Sequence, residues 1–143
     1  MTKVLVAFIA GLALVTALPF AGRALRDETR ERCALDGVIV DARHAVRVVD
    51  RETAASRRFC CTTCAAAWLV REPIWPRQVF VTDEETGTEL DAERASFVRS
   101  SVVAVPATGN RIHVFATESA AKRHAEEFRG TILVGDDRPL RMN

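Results

Sequence analysis

The sequence predicts an α+β fold made of two similar units, each a β-hairpin followed by a helix, behind a single N-terminal transmembrane helix. Three observations support this fold class. Short runs rich in valine and other β-branched residues are separated by turn residues, as in hairpins. Two later segments have the composition and apolar spacing of helices. The N-terminal segment is apolar over a length close to that of a membrane span.

The composition is that of a globular protein. Of 143 residues, 27% are charged and 48% are apolar, enough for one domain with a real core. The formal net charge is +1. Because Lys3 lies in the N-terminal segment, the rest of the chain has 19 basic residues against 19 acidic ones. Nothing in this balance suggests a nucleic-acid-binding surface.

Residues 1–22 are interpreted as a membrane anchor. The apolar run from residue 4 to residue 21 would span roughly 27 Å as a helix, close to the thickness of a bilayer core. The core of a signal peptide is usually about 7–15 residues long, and no clean cleavage site follows this run. An uncleaved anchor is therefore favoured over a cleaved signal peptide. The charged residues 23–32 are interpreted as a linker.

The domain is predicted to cover residues 33–135, and it opens with a turn at Asp36-Gly37. Residues 45–50 and 55–60 have the pattern of paired strands, and a helix follows from Cys61 to Val70. The hairpin therefore delivers the cysteines around residue 60 to the junction between a strand and a helix.

The second half of the domain repeats this arrangement. Thr117 is expected to cap a helix that ends near Phe128 and is closed by Gly130. The strands are predicted at residues 78–82, 88–90, 97–105, 111–116 and 131–134. The segments that begin at Phe59 and Phe115 look like one junction used twice, and only the first carries sulfur. Residues 136–143 are predicted to be a loose tail.

The cysteines carry the strongest functional signal. Cys60, Cys61 and Cys64 lie within five positions, and Cys33 precedes them. On a helix, Cys61 and Cys64 would share a face with Cβ atoms roughly 5–6 Å apart, so both could reach one soft metal ion. A helix N-terminus stabilises anions, so these thiols are expected to ionise more readily than a free cysteine. That favours both metal binding and redox chemistry.

Other interpretations remain open. Cysteine is often a small buried apolar residue or half of a structural disulfide, but three cysteines in five positions argue against both. A thiol–disulfide oxidoreductase using Cys61-x-x-Cys64 and a structural zinc site are the alternatives. Among the histidines, His44 is the best candidate for an imidazole ligand, whereas His113 and His124 are expected to be packed residues. No phosphate loop, carboxylate pair or serine triad is visible, so the prediction is a binding protein and not an enzyme.

Several motifs together resemble the NosL family, which comprises copper-binding accessory proteins of nitrous oxide reductase maturation anchored on the outer face of bacterial membranes. The similarity runs from about Cys33 to Gly130. The motifs are Cys33-x-x-Asp36-Gly37, Arg58-Phe59-Cys60-Cys61-Thr62-Thr63-Cys64, Val81-Thr82-Asp83-x-x-Thr86-Gly87-x-x-x-Asp91-Ala92 and Val114-Phe115-x-x-x-x-Ala120-Ala121. The cysteines are also similar to the metal-trafficking motif called TRASH, a lone cysteine followed by a C-x-x-x-C pair.

The resemblance implies a membrane-anchored protein whose domain lies on the periplasmic side, although the arginines after the apolar run would favour the cytoplasm under the positive-inside rule. It implies binding of Cu(I) and delivery to a recipient metalloenzyme or its assembly factors. The cysteines themselves also leave zinc as a possible ion. The metal ligands are predicted to be Cys33, Cys60, Cys61 and Cys64, with Cys61 and Cys64 as the essential pair. Asp36 stands where family members typically have a second cysteine.

Overall fold

The computed structural model describes residues 30–71 and 77–141. The predicted membrane anchor and most of the linker lie outside these residues. Within the described ranges, no helix combines the length and the apolar character needed to cross a membrane. Glu31–Asn143 form one compact unit.

The described residues form an α+β fold with two sheets and two α-helices, as the sequence predicts. The elements of the first half are β1 (Val46–Asp50), β2 (Ser56–Phe59), α1 (Thr62–Arg71), β3 (Arg77–Thr82) and β4 (Glu89–Asp91). Those of the second half are β5 (Ser96–Arg99), β6 (Ile112–Phe115), α2 (Glu118–Glu127) and β7 (Thr131–Leu133). Short 3-10 helices lie at Ala42–His44 and Gly135–Asp137.

The two halves share one topology. The first sheet has the strand order β2-β1-β3-β4 and the second the order β6-β5-β7, with antiparallel neighbours throughout. In each half, a hairpin leads into a helix, and the next strand returns to pair with the first strand of that hairpin. The repeat predicted from the sequence is therefore present in the strand order.

The core of the first half follows from strand alternation. Val46 lies opposite Phe59 on one side and Val81 on the other, and all three side chains are buried. Successive side chains of a strand point to opposite faces, so every second residue of β1 reaches the core. Helix α1 adds its buried Ala65 and Leu69 to this cluster. The end of β2 is thereby fixed next to the start of α1.

The strand predicted at residues 97–105 is shorter than expected. It ends at Arg99, because the Ser100 hydroxyl accepts the backbone N–H groups of Val102 (3.2 Å) and Val103 (2.9 Å). A serine hydroxyl that binds nearby backbone groups favours a turn over a continued strand. The chain therefore leaves the sheet at Ser100.

The C-terminal tail was predicted to be loose from residue 136, but the structure packs residues up to Leu140 against the domain. Arg138 Nη2 donates to the carbonyl oxygens of Ala92, Glu93 and Ala95, each at 3.0 Å. Leu140 is only 6% exposed. The expectation is wrong for this part, because the two N–H groups of Arg138 Nη2 are shared among three carbonyls and Leu140 joins the core.

The turn after β3 joins the two halves. The Glu84 N–H donates to the Val114 carbonyl at 3.0 Å, and the Val114 N–H donates back to Glu84 Oε1 at 3.2 Å. The neighbouring carboxylate of Asp83 accepts the Ala116 N–H at 3.1 Å. Two successive acidic side chains thus bind the backbone of β6 and of the residue that follows it, and hold this strand beside the first sheet.

Candidate metal centre

A tight turn at residues 33–38 positions Cys33. The Cys33 N–H donates to the Val38 carbonyl at 2.8 Å, and the Gly37 N–H donates to the Cys33 carbonyl at 2.9 Å. Gly37 has φ +75°, a left-handed conformation that glycine adopts without strain. The Ala34 N–H then donates to the Arg58 carbonyl at 2.9 Å. This bond fixes the turn beside the end of β2 and brings Cys33 to the other cysteines.

The remaining cysteines lie at the junction of β2 and α1. Cys60 directly follows the strand, and Cys64 is in the first turn of the helix. Cys33, Cys60 and Cys61 are buried, whereas Cys64 is half-buried. All four cysteines are free thiols. The cluster is therefore reachable from solvent on the Cys64 side.

Three of the four sulfurs form a compact group. Cys60 Sγ lies 3.5 Å from Cys64 Sγ, and the ligand atoms of Cys33, Asp36, Cys60 and Cys64 all lie within 4.8 Å of one another. Thiolates that bind one ion at about 2.3 Å are roughly 3.8–4.0 Å apart in tetrahedral or trigonal geometry. The donors therefore need to move by no more than about an ångström to bind one ion.

Cys61 lies beside this group and not within it. Its Sγ is 3.9 Å from Cys60 Sγ. Cys61 precedes the first residue of α1 just as the capping residue Thr117 precedes α2. The compact group contains Cys60 and Cys64 and leaves out Cys61, whose place directly before α1 is that of a capping residue. Whether Cys61 and Cys64 are the essential pair is not decided by this arrangement. That these cysteines bind a metal stays a prediction.

Asp36 lies beside the thiols, although the sequence indicated it only as a turn residue at the place of the family's second cysteine and not as a ligand. Its Oδ1 accepts the Val38 N–H at 3.1 Å, which explains its place in the turn. Its Oδ2 accepts the Cys64 thiol at 3.2 Å and lies 3.8 Å from Cys60 Sγ. The signal was its spacing of three residues after Cys33, which brings a side chain back over the turn. The Asp-Gly pair alone indicated only the turn itself.

The thiols of the metal-free site hold their protons tightly. Burial raises the pKa of Cys60 to about 12, and burial together with hydrogen bonding to Asp36 raises the pKa of Cys64 well above its usual range. The expectation of more acidic thiols is therefore wrong for these two residues, because burial outweighs the helix terminus. The Cys33 thiol and the Val38 N–H lower the pKa of Asp36. A metal ion must displace the thiol protons to bind.

Asn110 connects this site to the second half of the domain. Its side-chain oxygen accepts the Thr63 hydroxyl at 2.9 Å, and its amide donates to Thr62 Oγ1 at 3.3 Å and to the Ile112 carbonyl at 2.9 Å. One buried amide thus ties the first turn of α1 to the start of β6. No sequence motif indicated this residue.

A groove of about 530 Å³ opens beside the cysteines. One wall contains the thiol side of the site and the other the loop before β6. The lining residues are Asp36, Val38, Cys61, Thr63, Cys64, Arg99, Ala107, Thr108, Gly109, Asn110, Arg111 and Ile112. The groove gives a second molecule a path to Cys64.

The histidines form a separate cluster. His44 Nδ1 lies 3.4 Å from Glu84 Oε1, and His113 Nδ1 lies 2.8 Å from Glu84 Oε2. The His124 ring packs against His113 with centroids 4.5 Å apart. His44, the best candidate among the histidines for an imidazole ligand, lies at the end of a 3-10 helix beside Glu84 and is not part of the thiol group. His113 is a packed residue, as predicted.

The fold is similar to that of a solved protein. The crystal structure of the copper chaperone NosL from Shewanella denitrificans superposes with a TM-score of 0.64, covering 77% of this chain and 90% of that chain at 19% sequence identity. No protein-family model matches the sequence, and no curated protein matches it. At this identity the likeness shows the fold, and the resemblance noted in the sequence is confirmed at that level.

Proposed function

We propose that this chain binds Cu(I) through Cys33, Cys60 and Cys64 and delivers it to a recipient metalloenzyme or to one of its assembly factors. The observation that carries this proposal is the compact group of three free thiols. Thiolates select soft ions such as Cu(I). The shared fold with a protein described as a copper chaperone supports the same ion.

The burial of the thiols suits an ion that is held and then released. Cys33 and Cys60 are buried, so they bind the ion from the interior, while Cys64 lies half-buried at the groove. A donor atom from a recipient can enter through the groove and bind the ion before Cys64 leaves it. Stepwise ligand exchange of this kind never frees the ion into water.

Membrane anchoring through residues 1–22, with the domain on the periplasmic side, belongs to the same proposal. It is supported by the apolar run and by the family resemblance. Intact-mass measurement of protein extracted from membranes tests it. A mature N-terminus near residues 22–25 would contradict the anchor.

A thiol–disulfide oxidoreductase is the less favoured alternative. An attacking thiol works best when its pKa is near the ambient pH. Burial raises the pKa of Cys60 to about 12 and that of Cys64 well above its usual range, so few of these thiols are ionised at pH 7. The structure therefore favours metal-induced loss of the protons over redox catalysis.

An anaerobic titration of the reduced full-length protein in mild detergent, with a chromophoric Cu(I) chelator as competitor, tests the ligand set. Cys33→Ser, Cys60→Ser and Cys64→Ser should each weaken Cu(I) binding by about tenfold or more, or 1.4 kcal/mol. Cys61→Ser is the matched control and should change it much less. Equal losses from all four variants would show that the triad is assigned wrongly. If the protein contains one equivalent of zinc that excess Cu(I) cannot displace, the site is a structural zinc site and the chaperone proposal is wrong.

A further inference from the structure

Asp36 has the position of a metal ligand. We infer, on the basis of the proposed thiol site, that the Asp36 carboxylate is a fourth ligand. With it, the same site can hold a divalent ion of the zinc class through three sulfurs and one oxygen. The ligand atoms of Cys33, Asp36, Cys60 and Cys64 lie within 4.8 Å of one another. Structural zinc sites are almost always tetrahedral.

The distances fit this coordination. With zinc–sulfur bonds of about 2.3 Å and a zinc–oxygen bond of about 2.0 Å, a tetrahedral site separates oxygen from sulfur by roughly 3.5 Å. Asp36 Oδ2 lies 3.2 Å from Cys64 Sγ and 3.8 Å from Cys60 Sγ, on either side of that value. The carboxylate therefore needs little movement to share an ion with both sulfurs.

The turn holds the carboxylate in this orientation. Asp36 Oδ1 accepts the Val38 N–H at 3.1 Å, which leaves Oδ2 directed at the thiols. Hydrogen bonds to the atoms of a ligand that do not touch the metal orient that ligand in many metal sites. The bond from the backbone to Oδ1 orients the Asp36 carboxylate in the same way before an ion arrives. Within residues 30–71 and 77–141, Asp36 supplies the non-sulfur ligand atom of the group.

Charge makes Asp36 a selectivity residue. Three thiolates and one carboxylate carry four negative charges, so a divalent ion leaves less uncompensated charge than Cu(I) does. Carboxylate oxygen is a hard donor that zinc accepts, whereas Cu(I) is selected by soft sulfur. Asp36 therefore raises the affinity for a divalent ion and contributes little to that for Cu(I), which the three thiolates hold alone.

The test compares two ions on one pair of variants. Asp36→Asn keeps the volume and an oxygen for the Val38 N–H but removes the anionic ligand. Asp41→Asn is the matched control, because Asp41 Oδ1 accepts the Arg43 N–H at 3.0 Å in a similar turn. Zn²⁺ and Cu(I) affinities of the reduced full-length protein are measured by competition with chromophoric chelators. Co²⁺ absorption reports the geometry and donor set of a divalent ion.

Asp36→Asn should weaken Zn²⁺ binding by about tenfold or more and change Cu(I) binding by less than about threefold, and Asp41→Asn should change neither. The Co²⁺ spectrum of the parent protein should be tetrahedral with thiolate charge-transfer bands, and its d–d bands should shift in Asp36→Asn. Asp36→Cys should restore Zn²⁺ binding with a four-thiolate Co²⁺ spectrum, which excludes misfolding as the cause.

Equal weakening of both ions in Asp36→Asn, or unchanged Zn²⁺ and Co²⁺ binding, would overturn the inference. A wrong assignment of the thiol site would give a different result: Cys60→Ser would leave Cu(I) binding unchanged. If Cys60→Ser abolishes binding while Asp36→Asn changes nothing, the thiol site stands and the role of Asp36 falls.

Discussion

Glu84 is expected to be one of the main stabilising residues of the domain. Its carboxylate is 13% exposed, accepts the Val114 N–H, and lies 2.8 Å from Nδ1 of the 3%-exposed His113 side chain. His113 Nε2 faces the Val103 carbonyl at 3.3 Å, so both ring nitrogens face acceptors. Only the imidazolium can donate to both at once. Glu84→Gln removes the negative charge that this buried cation faces.

The size of the effect follows from the pKa of Glu84. Burial alone would raise this pKa, but the hydrogen bond from His113 and the nearby ring of His44 lower it from 4.5 to about 2. A shift of this size corresponds to roughly 3 kcal/mol of stability. Because the pKa is lowered on folding, the contribution is present above pH 4.5 and is lost as the pH falls towards 2.

The pKa of His113 determines how the stabilisation by the His113–Glu84 pair falls at higher pH. Its pairing with Glu84 outweighs the effect of burial and raises its pKa above 6.5. The stabilisation is therefore complete below pH 6.5 and is lost as the pH rises through the folded-state pKa. Burial lowers the pKa of the adjacent His124, which opposes stability below pH 6.5. The difference in the free energy of unfolding between variant and parent at each pH is therefore a better readout than the pH dependence of either protein alone.

Urea unfolding of full-length protein in mild detergent, followed between pH 3 and pH 8, measures this difference. At pH 6, Glu84→Gln should lower the free energy of unfolding by about 3 kcal/mol, and the loss should shrink steadily towards pH 3. Glu89→Gln is the control, because Glu89 forms a more exposed ion pair with Arg47 and should cost less than about 1 kcal/mol. A pH-independent loss, or one below 1 kcal/mol, would refute the reasoning.

Two further outcomes are expected. Gly130→Ala should lower the free energy of unfolding by about 1–3 kcal/mol in thermal or urea denaturation, because its Cβ would lie 2.6 Å from Val98 Cγ1 and 3.2 Å from the Arg99 carbonyl oxygen. A neutral substitution would show that β5 can shift. In the reduced metal-free protein, Cys60 should react with iodoacetamide at pH 8 far more slowly than a free cysteine, since burial raises its pKa to about 12. Peptide mass mapping measures the rate, and rapid labelling would contradict the buried neutral thiol.

Local sequence patterns were sufficient for most of the fold. Alternating valines predicted β1 and β3, and Thr117 predicted the start of α2, because such signals depend on a few neighbouring residues. The end of β5 was missed because the Ser100 hydroxyl competes with the strand for backbone N–H groups. Packing of the tail depends on carbonyls more than forty residues away, which no local pattern contains.

The site was predicted in its residue types but not in its arrangement. The clustering of cysteines indicated soft-metal chemistry, yet choosing Cys60 over Cys61 requires knowing where α1 begins. The role of Asp36 depends on the bond between the Ala34 N–H and the Arg58 carbonyl, which joins distant parts of the chain. The position of His44 beside Glu84 could not be predicted, because nearness to Cys33 in sequence does not give the direction of its ring.

Because the topology repeats, the junction of β6 and α2 is a copy of the junction of β2 and α1 without its cysteines. Aligned on their helix starts, Ala116 and Ala120 occupy the places of Cys60 and Cys64, and Thr117 occupies that of Cys61. The Thr117 hydroxyl accepts the Ala120 N–H at 3.2 Å, a bond for which sulfur is a poor substitute. One copy thus retains ordinary helix capping while the other carries the cysteine thiols. For protein engineering, cysteines could be introduced one at a time at the junction of β6 and α2. Metal titration of these variants would show how many thiol donors this backbone needs to bind an ion.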